Sequence, residues 1–378
     1  MSDPDRLILF VVNDAGFFLS HRLPLALAAR DFGFRVCVAT PPGDGVEQIE
    51  AEGLLHYALP LSRSGANPFA ELMTIRELYK LYRNLRPSLV HHVTIKPVLY
   101  GTLAARLAKV PAVVNAISGL GFVFLAQGWF SALARAAVLN SYRWLFSRAG
   151  LWVIVQNRDD YRYLLDEECL SQEQLELIRG SGVDLRNFTL RPEPEQVPLV
   201  VLPARMLWDK GVSEFVAAAH TLKQQGVQAR FALVGGIDPN NPESVPARQL
   251  ADWARDSDIE WWGNRQDMAE VFSQANIICL PSYREGLPKV LLEAAASGRA
   301  IVTTDVPGCR EVVSEGENGL LVPARESEPL AKALKQLIQD PGLRQAMGQK
   351  SRVLAEAEFS IDRVVAQHMS IYRRALEL

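Results

Sequence analysis

Short apolar runs rich in β-branched residues alternate along this chain with longer stretches of helical period. Residues 6–12 form the first such run; a loop from Asn13 to Phe18 follows, then a helical pattern over 19–32. A strand feeding a loop and then a helix is the opening unit of a doubly wound parallel sheet. The alternation predicts further strands at 35–40, 56–61, 88–93, 112–115 and 152–156, and helices at 68–85, 97–109 and 129–148. Residues 181–198 break it: Gly182, Pro192, Pro194 and Pro198 stand among charges with little periodicity, the composition of an interdomain linker. The pattern then restarts, with strands at 199–203, 230–235, 259–262 and 276–280 and helices at 212–225, 246–255 and 267–274. An alanine-rich helix ends at Gly298, and helical segments at 326–338, 343–357 and 361–376 close the chain. The expected class is α/β, with two Rossmann-like doubly wound domains at 1–180 and 199–360 and a terminal helix at 361–378.

At 378 residues the chain exceeds what one core usually supports, which agrees with two domains. Hydrophobic content of 48% and charged content of 22% exclude a disordered chain. The polar start, residues 1–6, has no signal-peptide pattern, and no segment offers the run of apolar residues that spans a bilayer. Cys37, Cys169, Cys279 and Cys309 are scattered without metal-ligand spacing and read as reduced thiols of a cytoplasmic protein. Net charge is −3, yet residues 54–155 hold eleven Lys or Arg against two acids, Glu71 and Glu77. Such a stretch suits nucleic acid, an anionic membrane face or an anionic substrate; no nucleic-acid reading module accompanies it. The helical pattern at 129–148 carries Trp129, Phe130, Trp144, Arg135, Arg143 and Arg148 and no acid, which fits an interfacial helix and a buried helix against the sheet equally.

Chemistry is expected at the carboxyl ends of the strands, where open α/β sheets bind ligands. Tyr283 to Glu293 lies between a strand and the alanine-rich helix, with Pro288 suited to the first helical turn. The amides of Gly286, Leu287, Pro288's neighbour Lys289 and the helix start then face outward at the positive end of the helix dipole, a place that attracts phosphate. Glu285 precedes the helix, and Glu293 sits roughly 8 Å further along at about 1.5 Å per residue. The pair either lines one cleft or serves as a dipole partner and a solvated helix residue. Arg205 and Lys210, at the end of the strand at 199–203, form either a diphosphate clamp or a pair of surface cations. Gly235 ends another strand on the same rim. In the first half, Gly16 permits close approach of a ligand or simply a tight turn. Residues 117–124 suggest a substrate loop, and Lys96 and His92 follow or end the strand at 88–93 as candidate phosphate partner and proton carrier.

The run from Tyr283 to Glu293, with two glutamates separated by seven residues, resembles the signature of family 4 of the retaining nucleotide-sugar glycosyltransferases. Arg205 and Lys210 before Gly211, the segment Trp262, Gly263, Asn264, Arg265, and the loop Pro307 to Glu311 fall at that family's spacing. The resemblance implies a GT-B fold, two domains facing a cleft, with the last helix crossing back to the first domain. It implies that Arg205, Lys210 and Glu285 are the catalytic set, the cations holding the diphosphate and Glu285 meeting donor-sugar hydroxyls. Glu293 would contact the ribose, Gly263 and Asn264 the nucleobase, and Gly16 would close on the diphosphate from the first domain. Gly235, Gly286, Leu287 and Pro288 complete the donor set. No cofactor is implied, the nucleotide-sugar being a substrate. No metal is expected either: the Asp3/Asp5 and Asp256/Asp258 pairs lie on the terminal tail and at the end of a polar helix.

Many members of the family place a histidine near the donor sugar, where this chain has Ala116 to Gly119, so the acceptor-side base stays open among His21, His92, Lys96 and Asp14, with Ser118 beside them. The chain resembles most the bacterial branch that assembles polysaccharide and O-antigen. That branch implies a UDP-sugar donor, an N-acetylhexosamine, a polyprenyl-diphosphate-linked sugar or saccharide acceptor, and peripheral contact with the cytoplasmic face of the inner membrane. A UDP-sugar epimerase on the same fold and a catalytically idle sugar-nucleotide-binding protein are the alternatives.

Overall fold

The structure is a computed structural model that describes residues 6–61, 67–120, 129–239, 241–255 and 258–377, apart from the side chains of 129–134. The chain divides into two compact units: Met1–Ser181 with Asp362–Leu378, and Gly182–Ile361. In the first unit β1 (Leu7–Val12), β2 (Arg35–Thr40), β3 (Leu55–Ala58), β4 (Leu89–Val93), β5 (Ala112–Ile117), β6 (Leu151–Val155) and β7 (Leu175–Leu177) form a seven-stranded sheet in the order β3-β2-β1-β4-β5-β6-β7. Its pairings are parallel. In β1, Leu7, Leu9 and Val11 pack on one face of the sheet and Ile8, Phe10 and Val12 on the other. A parallel strand covered on both faces therefore reads as one uninterrupted apolar run. Its covering helices are α1 (Ala15–His21), α2 (Leu23–Asp31), α3 (Val46–Ala51), α4 (Pro68–Leu85), α5 (Thr102–Ala108), α6 (Trp129–Phe146) and α7 (Arg158–Asp166).

The second unit repeats the scheme with β8 (Leu199–Pro203), β9 (Arg230–Val234), β10 (Glu260–Trp261), β11 (Ile277–Leu280), β12 (Ala300–Thr304) and β13 (Gly319–Val322) in the order β10-β9-β8-β11-β12-β13. Around it lie α8 (Val212–Gln224), α9 (Ala247–Arg255), α10 (Met268–Gln274), α11 (Lys289–Ala296), α12 (Cys309–Val312), α13 (Ser327–Gln339) and α14 (Pro341–Leu354). The last helix, α15 (Ile361–Ala375), returns to the first unit, where Val364, Met369, Ile371 and Tyr372 join the core beside Ile8 and Phe10. Strand order reverses between β1 and β4 in one sheet and between β8 and β11 in the other. At such switch points the loops diverge and leave a crevice outside the strand ends.

Several expected elements differ in the structure. The helix at 19–32 is two helices broken at Arg22, because Pro24 lacks the N–H that would continue the first and its ring crowds the preceding turn. The strand expected to reach residue 61 ends at Ala58, just before Pro60. The helix from Pro97 opens with a π-helical turn, Pro97–Gly101, before α5 begins. Pro288 is the cap of α11, with an extended ψ of 117°, rather than a residue of its first turn. In α6 the side chains of Leu139, Tyr142, Leu145 and Phe146 are buried in the core, so over its described half the buried reading prevails; Trp129 and Phe130 lie outside the described side chains. Residues 181–198 were expected as a linker, but from Gly182 on they are packed into the second unit. The buried Arg344 guanidinium bonds Glu193 at 2.5 Å, and Asn276 donates to the Pro194 carbonyl at 3.0 Å. Among the described residues no helix is long and apolar enough to cross a membrane.

Helix α15 is anchored through a polar cluster inside the core. The Tyr372 hydroxyl bonds His91 Nδ1 at 2.6 Å, His368 stacks on His91 at 5.8 Å, and Arg22 is 2% exposed beside them. Burial, with Arg22 adding to it, holds His368 down to about 3 and His91 well below the ordinary histidine value. Neutral rings in the fold and basic rings in the unfolded chain make the stabilisation complete above about 6.5, the unfolded value, and progressively lost as pH falls below it. Thermal midpoints recorded across this range should be flat above that pH and fall below it, and the fall should be shallower in His368→Leu. A midpoint independent of pH down to the carboxylate range would show these rings already charged in the fold.

Candidate functional site

In the second unit the loops at the carboxyl ends of β8, β9, β10, β11 and β12 are stitched into one rim. The Met206 amide donates to the Gly236 carbonyl at 2.9 Å, and the Gly235 amide to the Gly263 carbonyl at 2.8 Å. Trp261 Nε1 donates to the Gly235 carbonyl at 3.1 Å, and the Asn264 side chain lies against Gly236. The β8 and β11 loops run back to back: the Tyr283 amide donates to the Asp209 carbonyl at 2.9 Å. Gly211, with φ at 72°, presses on the Pro281 carbonyl, and Gly308, with φ at 82°, on the carbonyls of Glu285 and Gly286. Neither place admits a Cβ, and both backbones are left-handed, so glycine is what lets three loops meet.

This packing brings the predicted clamp and glutamate together at the β8/β11 switch point. Lys210 Nζ bonds Glu285 Oε1 at 2.5 Å, and Ser282 Oγ donates to the same oxygen at 2.7 Å. Burial alone would depress the lysine, but Glu285 and Asp209 raise it above its ordinary value, so it stays an ammonium. Arg205, about half exposed, pairs with Asp238 at 2.7 Å. Beyond Glu285, the Leu287 side chain packs into the core and Pro288 is buried. Glu293 is 9% exposed and lies 3.4 Å from Lys289 Nζ. Burial raises its carboxyl above the usual range while Lys289 opposes the rise. Glu293 is therefore not a solvated helix residue. The segment after β10 is fixed by Arg265, whose Nε and Nη2 donate to the two carboxylate oxygens of Asp267.

The first unit sorts its own candidates. Gly16 lies in the first turn of α1, behind Asp14, whose carboxylate caps the helix by accepting from the Phe17 amide at 2.6 Å. His21 is half-exposed at the end of α1, stacked on Phe17 at 4.0 Å with Ser20 Oγ 2.7 Å from Nδ1. His92 has no exposure; Tyr82 Oη and Asn115 Oδ1 meet its two ring nitrogens at 2.9 and 2.8 Å, and burial holds it down to about 4. It is a core residue, and the reading of it as a proton carrier is corrected. Lys96 is ion-paired with Glu71 at 2.7 Å. Ser118 is half-buried just past β5; the rest of the expected substrate loop from Gly121, together with Asp3, Asp5 and Asp256, lies outside the described residues.

The sequence family described as "Glycosyl transferase 4-like" matches residues 7–157, and "Glycosyl transferases group 1" matches residues 197–340, so both units are accounted for. The chain belongs to the family 4 glycosyltransferases. It is 28% identical, over 97% of its length and 98% of the relative's, to the N,N'-diacetylbacillosaminyl-diphospho-undecaprenol alpha-1,3-N-acetylgalactosaminyltransferase of Campylobacter jejuni. It is 21% identical to the capsular polysaccharide biosynthesis glycosyltransferase CapM of Staphylococcus aureus, over 88% of this chain and 89% of that one. Among solved structures, Alr3699/HepE of Anabaena in complex with UDP-glucose superposes with a TM-score of 0.78 at 18% identity, covering 98% of this chain and 100% of the other. The fold is GT-B, as the paired parallel sheets and the returning helix indicate.

Two features of this family 4 chain escape a reading of its sequence. Asp238, the partner of Arg205, sits in a polar loop with no local signal, and only the folded rim brings it there. Thr94, at the carboxyl end of β4, has φ at 74° and a side-chain oxygen out of water with no hydrogen-bond partner among the described residues. A β-branched residue in that region costs about 1–3 kcal/mol and persists where the surroundings impose it. Removing an unsatisfied hydroxyl is near neutral or favourable, so Thr94→Ala should keep or raise the thermal midpoint while lowering turnover if the hydroxyl serves the acceptor. A lowered midpoint would show that the hydroxyl already has a partner in the fold.

The ion pair gives a sharper expectation. Lys210→Ala strands a largely buried carboxylate and should cost about 3 kcal/mol in denaturant unfolding. Lys210→Met with Glu285→Leu should recover much of that stability without recovering activity. If the single variant folds as stably as the parent, the pair is not a structural tie between the loops.

Proposed function

We propose that this glycosyltransferase is a retaining, metal-independent enzyme that moves an N-acetylhexosamine from a UDP-sugar to a polyprenyl-diphosphate-linked sugar or saccharide in cell-surface polysaccharide assembly on the cytoplasmic side of the membrane. The observation that carries it is the convergence of Arg205, Lys210 and Glu285 at the switch point of the second sheet, beside the N-terminus of α11. As the bond from the sugar's anomeric carbon to phosphate oxygen breaks, negative charge grows on the departing UDP. Two fixed cations and the first amides of α11 oppose that charge where it develops. Arg205 forms bidentate contacts after giving up Asp238, and Lys210 acts as a point charge. Glu285 accepts from donor-sugar hydroxyls, and Glu293 from the ribose. The new bond forms from the acceptor hydroxyl to the anomeric carbon, and the hydroxyl proton passes to the leaving phosphate oxygen. The donor's amide-bearing sugar and the lipid-linked acceptor are taken from the name of the Campylobacter jejuni relative, and the polysaccharide role from that of CapM.

UDP release from a panel of UDP-hexoses and UDP-N-acetylhexosamines, with and without short polyprenyl-diphosphate sugars, tests this. Release should require acceptor, persist in EDTA, and fall by about 100- to 1,000-fold in Glu285→Ala and in Arg205→Ala. Donor consumed without UDP release would favour an epimerase. Release unchanged by either substitution would remove the proposed site.

A further inference from the structure

The outward face of α4 carries the most exposed large apolar side chain among the described residues. Phe69 is 83% exposed, Leu72 65% and Met73 47%, while Thr74, Leu78 and Tyr82 on the opposite face are buried. At helical spacing the same stripe continues through Arg76, Lys80 and Arg83. No acid lies on it; Glu77 flanks it and pairs with Lys80 at 2.7 Å, and neither Arg76 nor Arg83 forms an ion pair with a described residue. Arg83 and, one turn on, Arg86 also line a cavity of about 350 Å³ with Lys109 of the neighbouring α5 end. Bare apolar side chains at one end of the stripe and the cations Arg76, Lys80 and Arg83 along the rest of it give an anionic headgroup layer both apolar surface and positive charge to meet.

Helix α4 follows β3 and leads into β4, so it runs against the strands and begins at their carboxyl ends. The Lys96–Glu71 pair ties its first turn to the loop after β4. Phe69 and Leu72 therefore emerge on the rim at which open α/β sheets take their ligands.

We propose that the Phe69–Arg83 face of α4 docks on an anionic phospholipid bilayer, with Phe69, Leu72 and Met73 inserted and Arg76, Lys80 and Arg83 on the headgroup phosphates. This deepens, and rests on, the reading of the acceptor as lipid-linked. The docking face is α4 rather than the α6 segment, whose described apolar residues are largely in the core; Trp144, exposed on α6, is covered by the Arg106 guanidinium at 4.8 Å.

The test is co-sedimentation of the full chain, without substrates, with vesicles of phosphatidylcholine alone or mixed with phosphatidylglycerol. Wild type should bind the mixed vesicles and barely the neutral ones. Arg76→Glu with Lys80→Glu and Arg83→Glu should weaken that binding by on the order of 100-fold, and Phe69→Ser with Leu72→Ser by about tenfold or more. The same change of charge placed on the second unit, at Arg248, Arg255 and Lys332, should leave binding within about threefold, and thermal midpoints and UDP affinity should stay at wild type throughout. Transfer to a vesicle-embedded long-chain acceptor should fall with binding, while transfer to a short water-soluble acceptor should not. Failure of wild type to bind, equal binding to neutral vesicles, or equal loss in the second-unit variant overturns the docking face. Binding through α4 with no transfer to any lipid-linked acceptor keeps the docking face and removes the acceptor reading instead.

Discussion

The Lys210–Glu285 ion pair ties the β8 and β11 loops together where they meet at the rim of the second sheet. Both partners are largely out of water, so neither tolerates loss of the other. The loops approach closely enough for the Tyr283 amide to reach the Asp209 carbonyl, and the glycines at 211 and 308 remove the side chains that would hold them apart. Arg205 and Lys210 of the β8 loop and Glu285 of the β11 loop, two segments far apart in sequence, thus share one rim, with Gly308 of a third loop packed against them. Under the proposed mechanism the same pair has two duties, since the lysine that pairs with the glutamate in the fold is also the cation offered to the leaving group.

Much of this was legible in the residues. Continuous apolar strands separated by helical stretches implied parallel sheets covered on both faces, and the burial of alternate β1 residues on opposite faces explains why no two-residue alternation was visible. The motif from Tyr283 to Glu293 and the cations at 205 and 210 fell on adjacent strands because the order β8-β11 reverses there. Strands β7, β12 and β13 were not read from the sequence; β7 has only three residues, too few to establish a period. The segment at 182–198 looked like a linker for want of periodicity; its order comes from side chains of distant helices, Arg344 above all, which local composition does not reveal.

Histidines show the same limit from the other side. His92 stands at the end of a strand, where catalytic residues gather, yet its ring is closed in by Tyr82, Asn115 and the bare Cα of Gly101. His91, next to it, points to the opposite face and holds α15 through Tyr372. Adjacent residues on a strand face opposite layers, so one dipeptide braces two separate packings. Position at a strand end predicts a neighbourhood, and only the packing decides whether a side chain opens to it.

The placement of the thiols carries a consequence of a practical kind. All four cysteines are buried, Cys37 and Cys169 in the core of the first unit, Cys279 and Cys309 in that of the second. Burial raises each thiol above its ordinary value, to about 11 for Cys169 and about 12 for Cys309, so the reactive thiolate is scarce while the fold is closed. Each half of the molecule thus contains its own pair of silent chemical reporters. A disulfide reagent that colours on reaction would leave the intact protein colourless and, read peptide by peptide, tell which half opened first.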